Sequence, residues 1–493
     1  MDAKPRDRAG AGDGGGGGLA VAARTLAQVP GPKGVPLLGN ALQMRAQELH
    51  RRLEGWATQF GSPFRFRIGS RQFLGISDAA QIASVLRRRP DVFGRGPRVS
   101  QVCKDLGLHG VFSANGETWR RQRPFVMAGL DPTHLKAFLP AITDITARLK
   151  SRWTRAAQDG REIDLLADLM RYTVDVTTCL AFGRSLDTLG QDEGGEVIQQ
   201  HLNAIFPAML RRTMAPFDME HWLPPRAIRR HVAALQAAVQ GFIRDTRERL
   251  RQQPQLAQRP QNLLQAMVLA CDRDDAQVRL TDEELSGNVL TMLVAGEDTT
   301  ANTLGWLIWL LHGHPAQWAR ARAEVEAAVG PSGQVQSLEQ LAALDFVEAC
   351  THEAMRLKPV APLIFLYAQQ DAVVGDVAVP RGAFVACLMR PAGLLEQQFA
   401  APQAFDPARW MAGGHAAQEG GVLSAKRTVM PFGGGPRVCP GRYLALAEIK
   451  MVMAMLLAGF DIRSMTTPAG GPHEKMSFVM SPEGLNLRLA LRA

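Results

Sequence analysis

The feature that most constrains this chain is one long apolar helix near its middle. Thr281-Asp282-Glu283-Glu284 forms a capping box, so a helix is expected to start at Thr281. Its apolar pattern runs from Leu285 through Leu311, and Gly313 and Pro315 mark the stop. At 1.5 Å per residue it spans on the order of 45 Å. A helix that long and that apolar has to cross the core of a large domain, as its spine.

Around that spine, residues 87–358 read mostly as helices of 3.6 period punctuated by proline and glycine. Short strands are expected where Phe64-Arg-Phe-Arg-Ile68 alternates, and over Val373–Val385, where Gly375-Asp376 makes a turn. The expected class is mainly α with small β-sheets. The Gly14–Gly18 run and its charged, Pro- and Gly-containing lead predict a mobile tail over residues 1–29. No interior stretch resembles a linker, so residues 30–493 are expected to form a single domain.

No apolar run approaches the roughly 20 residues of a membrane helix, and the N-terminus lacks the apolar core of a signal peptide. A cytoplasmic protein without a membrane anchor is therefore expected. The cysteines at 103, 179, 271, 350, 387 and 439 form no CxxC pair, which fits a reducing compartment and argues against iron-sulfur or zinc clusters. A formal charge of +9 is compatible with nucleic acid, a membrane surface or an acidic protein. No nucleic-acid motif is present, and three tyrosines leave little aromatic surface for stacking on bases, so a protein partner is the better reading.

Four constellations carry chemistry. In Pro431–Gly441, PFGGGPRVCPG, glycines and prolines hold a tight loop before an apolar helix beginning near Arg442. That puts Cys439 at a helix N-terminus, where the dipole and free N–H groups stabilise a thiolate, the metal-binding form. In the long helix, Ala295-Gly296-Glu297-Asp298-Thr299-Thr300 sets acids and hydroxyls in an apolar stretch, where they are costly to bury. Gly296 costs about 1 kcal/mol relative to alanine in a helix, which suggests a close approach to its backbone. A solvent-facing polar stripe would account for Glu297 but less well for Gly296 beside Asp298-Thr299. Glu353 and Arg356 stand three apart on a helix ending before Pro359, a spacing that is ordinarily a surface pair. They fail as a zinc-protease motif, because Arg356 stands where its second histidine belongs. Trp119 and Arg123 share one helical face, and alone would pass for part of a basic amphipathic surface.

With Phe432, Gly435, Arg437, Cys439 and Gly441 all in register, the chain resembles the cytochrome P-450 family, whose haem loop reads F-x-x-G-x-R-x-C-x-G. The likeness extends to [AG]-G-x-[DE]-T at Ala295–Thr299, E-x-x-R at Glu353–Arg356, W-x-x-x-R at Trp119–Arg123 and Pro407-Ala408-Arg409-Trp410, where Ala408 replaces the usual glutamate. It covers nearly everything from Pro30 onward, and the chain resembles a soluble bacterial-type member without a fused reductase. The resemblance implies the cytochrome P-450 fold, with heme b between the long helix and the Cys439 loop. It implies Cys439 as iron ligand, Phe432 beside the thiolate, Gly441 in the loop, and Arg437, Trp119 and Arg123 toward the propionates. It also implies Ala295 and Gly296 as room for oxygen and substrate, Thr299 as holder of bound oxygen and water, and Asp298 as proton relay. Glu353, Arg356 and Arg409 would form a structural ion network.

The implied reaction inserts one atom of O2 into a small lipophilic substrate. No G-x-G-x-x-G unit in a strand-turn-helix setting is present, so electrons are expected from a separate ferredoxin or flavodoxin-type partner with its NAD(P)H reductase. Arg120, Arg121, Arg442 and Lys450 are the expected docking face. Pro359–Ala368, Met292, Val99–Val111 and Met480 are candidate substrate walls. Pro359–Ala368, ending Leu-Tyr-Ala, resembles its counterpart in bacterial fatty-acid hydroxylases, which puts a fatty acid ahead of terpenoid, steroid or aromatic substrates. Arg71 could meet a carboxylate at the channel mouth, or be an exposed turn arginine. The rival readings are a haem-thiolate peroxygenase or isomerase, and a non-enzymatic haem binder or gas sensor.

Overall fold

A computed structural model of the chain describes residues 24–130, 132–190, 197–222, 225–258, 260–272, 279–411 and 425–492. Five helices matter most to the site: α1 (Gly116–Gly129), α2 (Leu165–Phe182), α3 (Asp282–His312), α4 (Asp345–Leu357) and α5 (Arg442–Gly459). The start of α3 is the capping box read from the sequence. The Glu284 N–H donates to Thr281 Oγ1 at 3.1 Å, and the Thr281 N–H donates back to the Glu284 carboxylate at 3.0 Å. Leu165, Leu169, Tyr172 and Val176 of α2 share one apolar cluster with Ala301, Leu304, Leu307 and Ile308 of α3 and Met451, Val452 and Leu456 of α5. Each large aliphatic side chain buried there stabilises the fold by about 1.5–3 kcal/mol. α3 is thus fixed on both sides.

The largest sheet runs in the order Phe64–Ile68, Arg71–Ile76, Phe384–Leu388, Leu363–Ala368 and Phe93–Gly94. Its first strand alternates buried and exposed as the Phe-Arg-Phe-Arg-Ile pattern predicts. Phe66 stacks on Phe73 at 4.6 Å between ring centroids, and Phe73 on Phe384 at 4.9 Å. The turn at Gly375 joins Ala372–Val374 to Val377–Val379. A second hairpin, His473–Met476 with Met480–Glu483, is tied to α3 where the Trp306 indole N–H donates to the Met480 carbonyl at 3.1 Å. No described helix is long and apolar enough to cross a membrane.

The expected tail boundary at residue 29 needs a correction. Arg24–Thr25 pair in parallel with Val377–Ala378, the Arg24 guanidinium reaches Asp376 at 2.7 Å, and Leu26 and Val29 are buried. Apolar side chains at 26 and 29 hold this segment to the Gly375 hairpin, so Arg24–Val29 belong to the fold. The Gly14–Gly18 run lies outside the described residues.

Candidate functional site

Glycine geometry shapes the Pro431–Gly441 loop. Gly435 has φ +66°, and a Cβ there would lie 2.3 Å from the Leu86 carbonyl oxygen, so only glycine lets the loop lie against the helix Ala79–Arg87. The Cys439 N–H then donates to the Phe432 carbonyl at 2.9 Å, closing the loop with the thiol just before α5. Burial pushes the Cys439 thiol above its ordinary value, while the Gly441 N–H, Arg123 and Arg442 pull it back. A cation bound at sulfur is what would secure the thiolate in that position.

Beside this loop four guanidiniums converge. Arg123 donates to the Val438 carbonyl, Arg437 to the Ala114 carbonyl, and Arg95 to the Phe112 carbonyl at 3.1 Å. Arg437 lies 4.8 Å and Arg123 5.9 Å from the centre of the Trp119 ring. Burial first, then Arg95 and Arg437, disfavour the charge on Arg89; burial, then Arg95 and Arg123, do the same to Arg437. Burial also weakens the hold of Arg95 and Arg123 on their protons. The Nε atoms of Arg89 and Arg437 are buried without a hydrogen-bond partner. No ion pair to a carboxylate joins any of these four among the described residues. Arginine does not surrender its proton in a protein, so such a cluster is relieved by bringing in an anion. A planar group with two carboxylates and a central cation for Cys439 fits this cradle, and haem is such a group.

The second group of candidate residues lies on α3. Ala295 is exposed and Thr299 half-buried, although the turns on either side are buried, which marks a local hollow beside the helix. The Thr299 hydroxyl donates to the Ala295 carbonyl at 2.9 Å, which leaves its lone pairs facing the hollow. Asp298 is buried with Oδ1 unpartnered, and burial pushes its carboxyl up to about 7. The close approach at Gly296 is to α2, since a Cβ would meet Thr177 Oγ1 at 2.3 Å. Glu297 does not belong to a solvent-facing stripe, because it is 1% exposed.

Glu353 and Arg356 are no surface pair. The Arg356 guanidinium donates to both Glu353 oxygens at 2.7 and 2.8 Å, and to the carbonyls of Gly393, Pro402 and Ala404. Arg409 Nε and Trp410 Nε1 reach the same carboxylate at 3.3 and 2.9 Å. The expected docking face is reduced. Lys450 is buried and held by Glu348 at 2.5 Å and the Leu341 carbonyl at 3.1 Å. Arg120 is paired with Asp91 and Glu117, and Arg121 with Glu284. Only Arg442 stays clear of a carboxylate in the described contacts, lying 4.6 Å from the centre of the Tyr443 ring.

No sequence pattern signals Arg89 and Arg95, nor the aromatic group around Phe478. Phe478, at the tip of the His473–Glu483 hairpin, stacks on Phe206 at 4.9 Å and meets Phe112 edge-on at 5.7 Å. Three segments remote in sequence meet at these rings. Met480 packs with Trp306 and Met476, and Met292 is 8% exposed within an apolar cluster, so both are core residues first. Arg71 is no exposed turn residue. It donates to the Thr213 and Ala215 carbonyls at 2.7 and 2.5 Å, while its Nε is buried and unpartnered.

Comparison with known proteins agrees with this geometry. The sequence matches the Cytochrome P450 family over residues 29–489. It is 25% identical to human Cytochrome P450 4B1, covering 89% of this chain and 85% of that protein. It is 25% identical to Cyclooctat-9-en-7-ol 5-monooxygenase of Streptomyces melanosporofaciens, covering 88% and 89%, and 23% identical to Protein LUTEIN DEFICIENT 5, chloroplastic, of Arabidopsis thaliana, covering 88% and 72%. A thiol loop, an anion-seeking arginine cradle and an acid-hydroxyl break in a buried helix thus coincide with a match over almost the whole chain: this protein is a haem monooxygenase of the cytochrome P450 family.

Proposed function

We propose that this protein is a heme b monooxygenase of a lipophilic small molecule, with a fatty acid as the leading substrate class. It forms a single domain from Arg24 onward and works in the cytoplasm, where its cysteines stay free. A separate ferredoxin or flavodoxin, reduced in turn from NAD(P)H, supplies the electrons.

When bound, haem supplies the binding and activation of dioxygen. Cys439 would hold its iron, and Arg89, Arg95, Arg123 and Arg437 would neutralise its carboxylates beside Trp119, with Phe432 and Gly441 shaping the loop. Thr299 accepts a hydrogen bond from water or a protonated oxygen in the hollow, because its own proton is committed to the Ala295 carbonyl. Asp298 can give and regain a proton near neutrality, since burial brings it to about 7. Ala295 carries too little side chain to close the hollow.

The substrate reading rests on one observation above the others, the meeting of Phe112, Phe206 and Phe478. Leu363, Ile364 and Phe365, half-buried on their strand, supply further apolar surface. A carboxylate end is supported by Arg71, whose unpartnered Nε lies near enough to Arg98 for the two guanidiniums to repel. Titrating the ferric protein with medium- and long-chain fatty acids, and with their methyl esters, tests this. The acids should give the low-to-high-spin shift and the esters should bind more weakly, a difference lost in Arg71→Ala. No spin shift with any acid would remove fatty acids from the candidates.

A further inference from the structure

The reading above uses Asp298 and Thr299 and leaves Glu297, between Gly296 and Asp298, without a task. Both carboxylate oxygens of Glu297 are buried and unpartnered, as are Asp298 Oδ1, Thr177 Oγ1 and Asn302 Oδ1. These atoms come from one short stretch of α3 and the face of α2 against it. Thr173 Oγ1 donates to the Glu297 carbonyl at 3.0 Å, Gly296 packs on Thr177, and Asn302 Nδ2 donates to the Asp298 carbonyl at 2.7 Å. Buried polar atoms are almost always hydrogen-bonded, and so many left without protein partners on one stretch of α3 and its α2 contact are the kind that ordered water satisfies.

The charge balance of this cluster is one-sided. Thr173 and Thr177 face it from α2, and Asp298 and Asn302 from α3. None of these is a cation. Burial, then the neighbouring Asp298, raise Glu297 well above the usual carboxylate range. Two adjacent buried acids without a cation cannot both ionise, so the pair retains at least one proton near neutrality. The monooxygenase reaction takes up two electrons, here from the redox partner, and two protons per dioxygen, which leave in the water formed.

We propose that Glu297 is a second acid of the site, storing a proton on the α2 side of α3 and recharging Asp298 through water between the two helices. The proposal rests on Asp298 being the donor described above. In the recharging step the O–H bond of the Glu297 carboxylic acid breaks and an O–H bond forms on the Asp298 carboxylate. The negative charge moves to Glu297, which takes its proton back from solvent. No electron moves. Glu297 touches neither substrate nor cofactor and acts through Asp298 alone.

The test compares the wild-type holoenzyme with Glu297→Gln, Glu297→Asp and Asp298→Asn, each first shown to carry its haem by its reduced carbon-monoxide spectrum. Product formed per dioxygen consumed is followed against pH. Glu297→Gln should lower that ratio about tenfold above neutrality and less below it, smaller than the ~10²-fold or more expected for loss of a direct proton donor. Glu297→Asp should recover part of the loss, which a purely structural role would not do. Infrared spectra of holoenzyme with carbon-labelled glutamate, recorded in a Glu448→Gln background because Glu448 is likewise buried and held protonated, should show a labelled carboxylic-acid carbonyl band at neutral pH, and this reads out even if Glu297→Gln does not fold. Absence of the band overturns the proposal. An unchanged ratio in Glu297→Gln at every pH, with a collapse in Asp298→Asn, overturns it while leaving Asp298 in place. Unchanged ratios in both would remove the Asp298 reading itself.

Discussion

Arg356, Arg409 and Arg89 are all buried, at 1, 6 and 5% exposure, yet their surroundings differ in kind. Around Arg356 and Arg409 each charge is answered: the Glu353 carboxylate accepts from both guanidiniums, and the carbonyls of Gly393, Pro402 and Ala404 take up the remaining Arg356 donors. Around Arg89 the neighbours are Arg95, Arg123 and Arg437, and two buried Nε atoms have no partner. A polar network that closes on itself is part of the scaffold. One that stays open is a site for an anionic ligand.

The comparison can be broken from either side. The largest effect is expected at Glu353, where Glu353→Ala strands two buried guanidiniums and should cost about 3–5 kcal/mol, lowering the melting temperature with and without haem. Next comes the acid pair on α3. Asp298 binds its proton more tightly in the folded chain than in the unfolded one, so its contribution is fully present below the ordinary carboxylate range. That contribution is lost as pH rises through about 7. Asp298→Asn should therefore flatten the fall in stability between about pH 4 and 7, by at most ~2–3 kcal/mol with water in the hollow relieving part of the burial. Gly435→Ala forces a Cβ against the Leu86 carbonyl at a left-handed position and should cost about 1–3 kcal/mol, with faster haem loss. The smallest effect should have two signs. Arg89→Leu removes an unanswered charge, so the haem-free protein should gain about 1 kcal/mol. The haem-loaded protein should lose its cofactor several-fold faster to an excess of a scavenging haem protein. A loss of stability in both states would place Arg89 with the closed network instead.

What the sequence made legible was local. The capping box at Thr281–Glu284 and the stop at Gly313 bounded α3, the alternation at Phe64–Ile68 marked a strand, and the three-residue spacing of Glu353 and Arg356 paired them. What stayed hidden depends on distant segments. Arg89 closes the run Arg87-Arg88-Arg89, which reads as a solvated basic patch until the fold buries its last member. Lys450 looked like surface charge on α5 because its partner, Glu348, comes from α4. Phe112, Phe206 and Phe478 carry no shared pattern. Glu297 read as solvent-facing because nothing in its helix reveals that α2 covers it.

The central claim is that Cys439, held by the Phe432–Gly441 loop, binds haem iron as a thiolate. The most direct test is the absorption spectrum of the reduced, carbon-monoxide-bound protein beside that of Cys439→Ala. A strongly red-shifted Soret band in the wild type, absent from the variant, is the expected result. An unshifted band in the wild type, or a shifted band that survives the substitution, would contradict it.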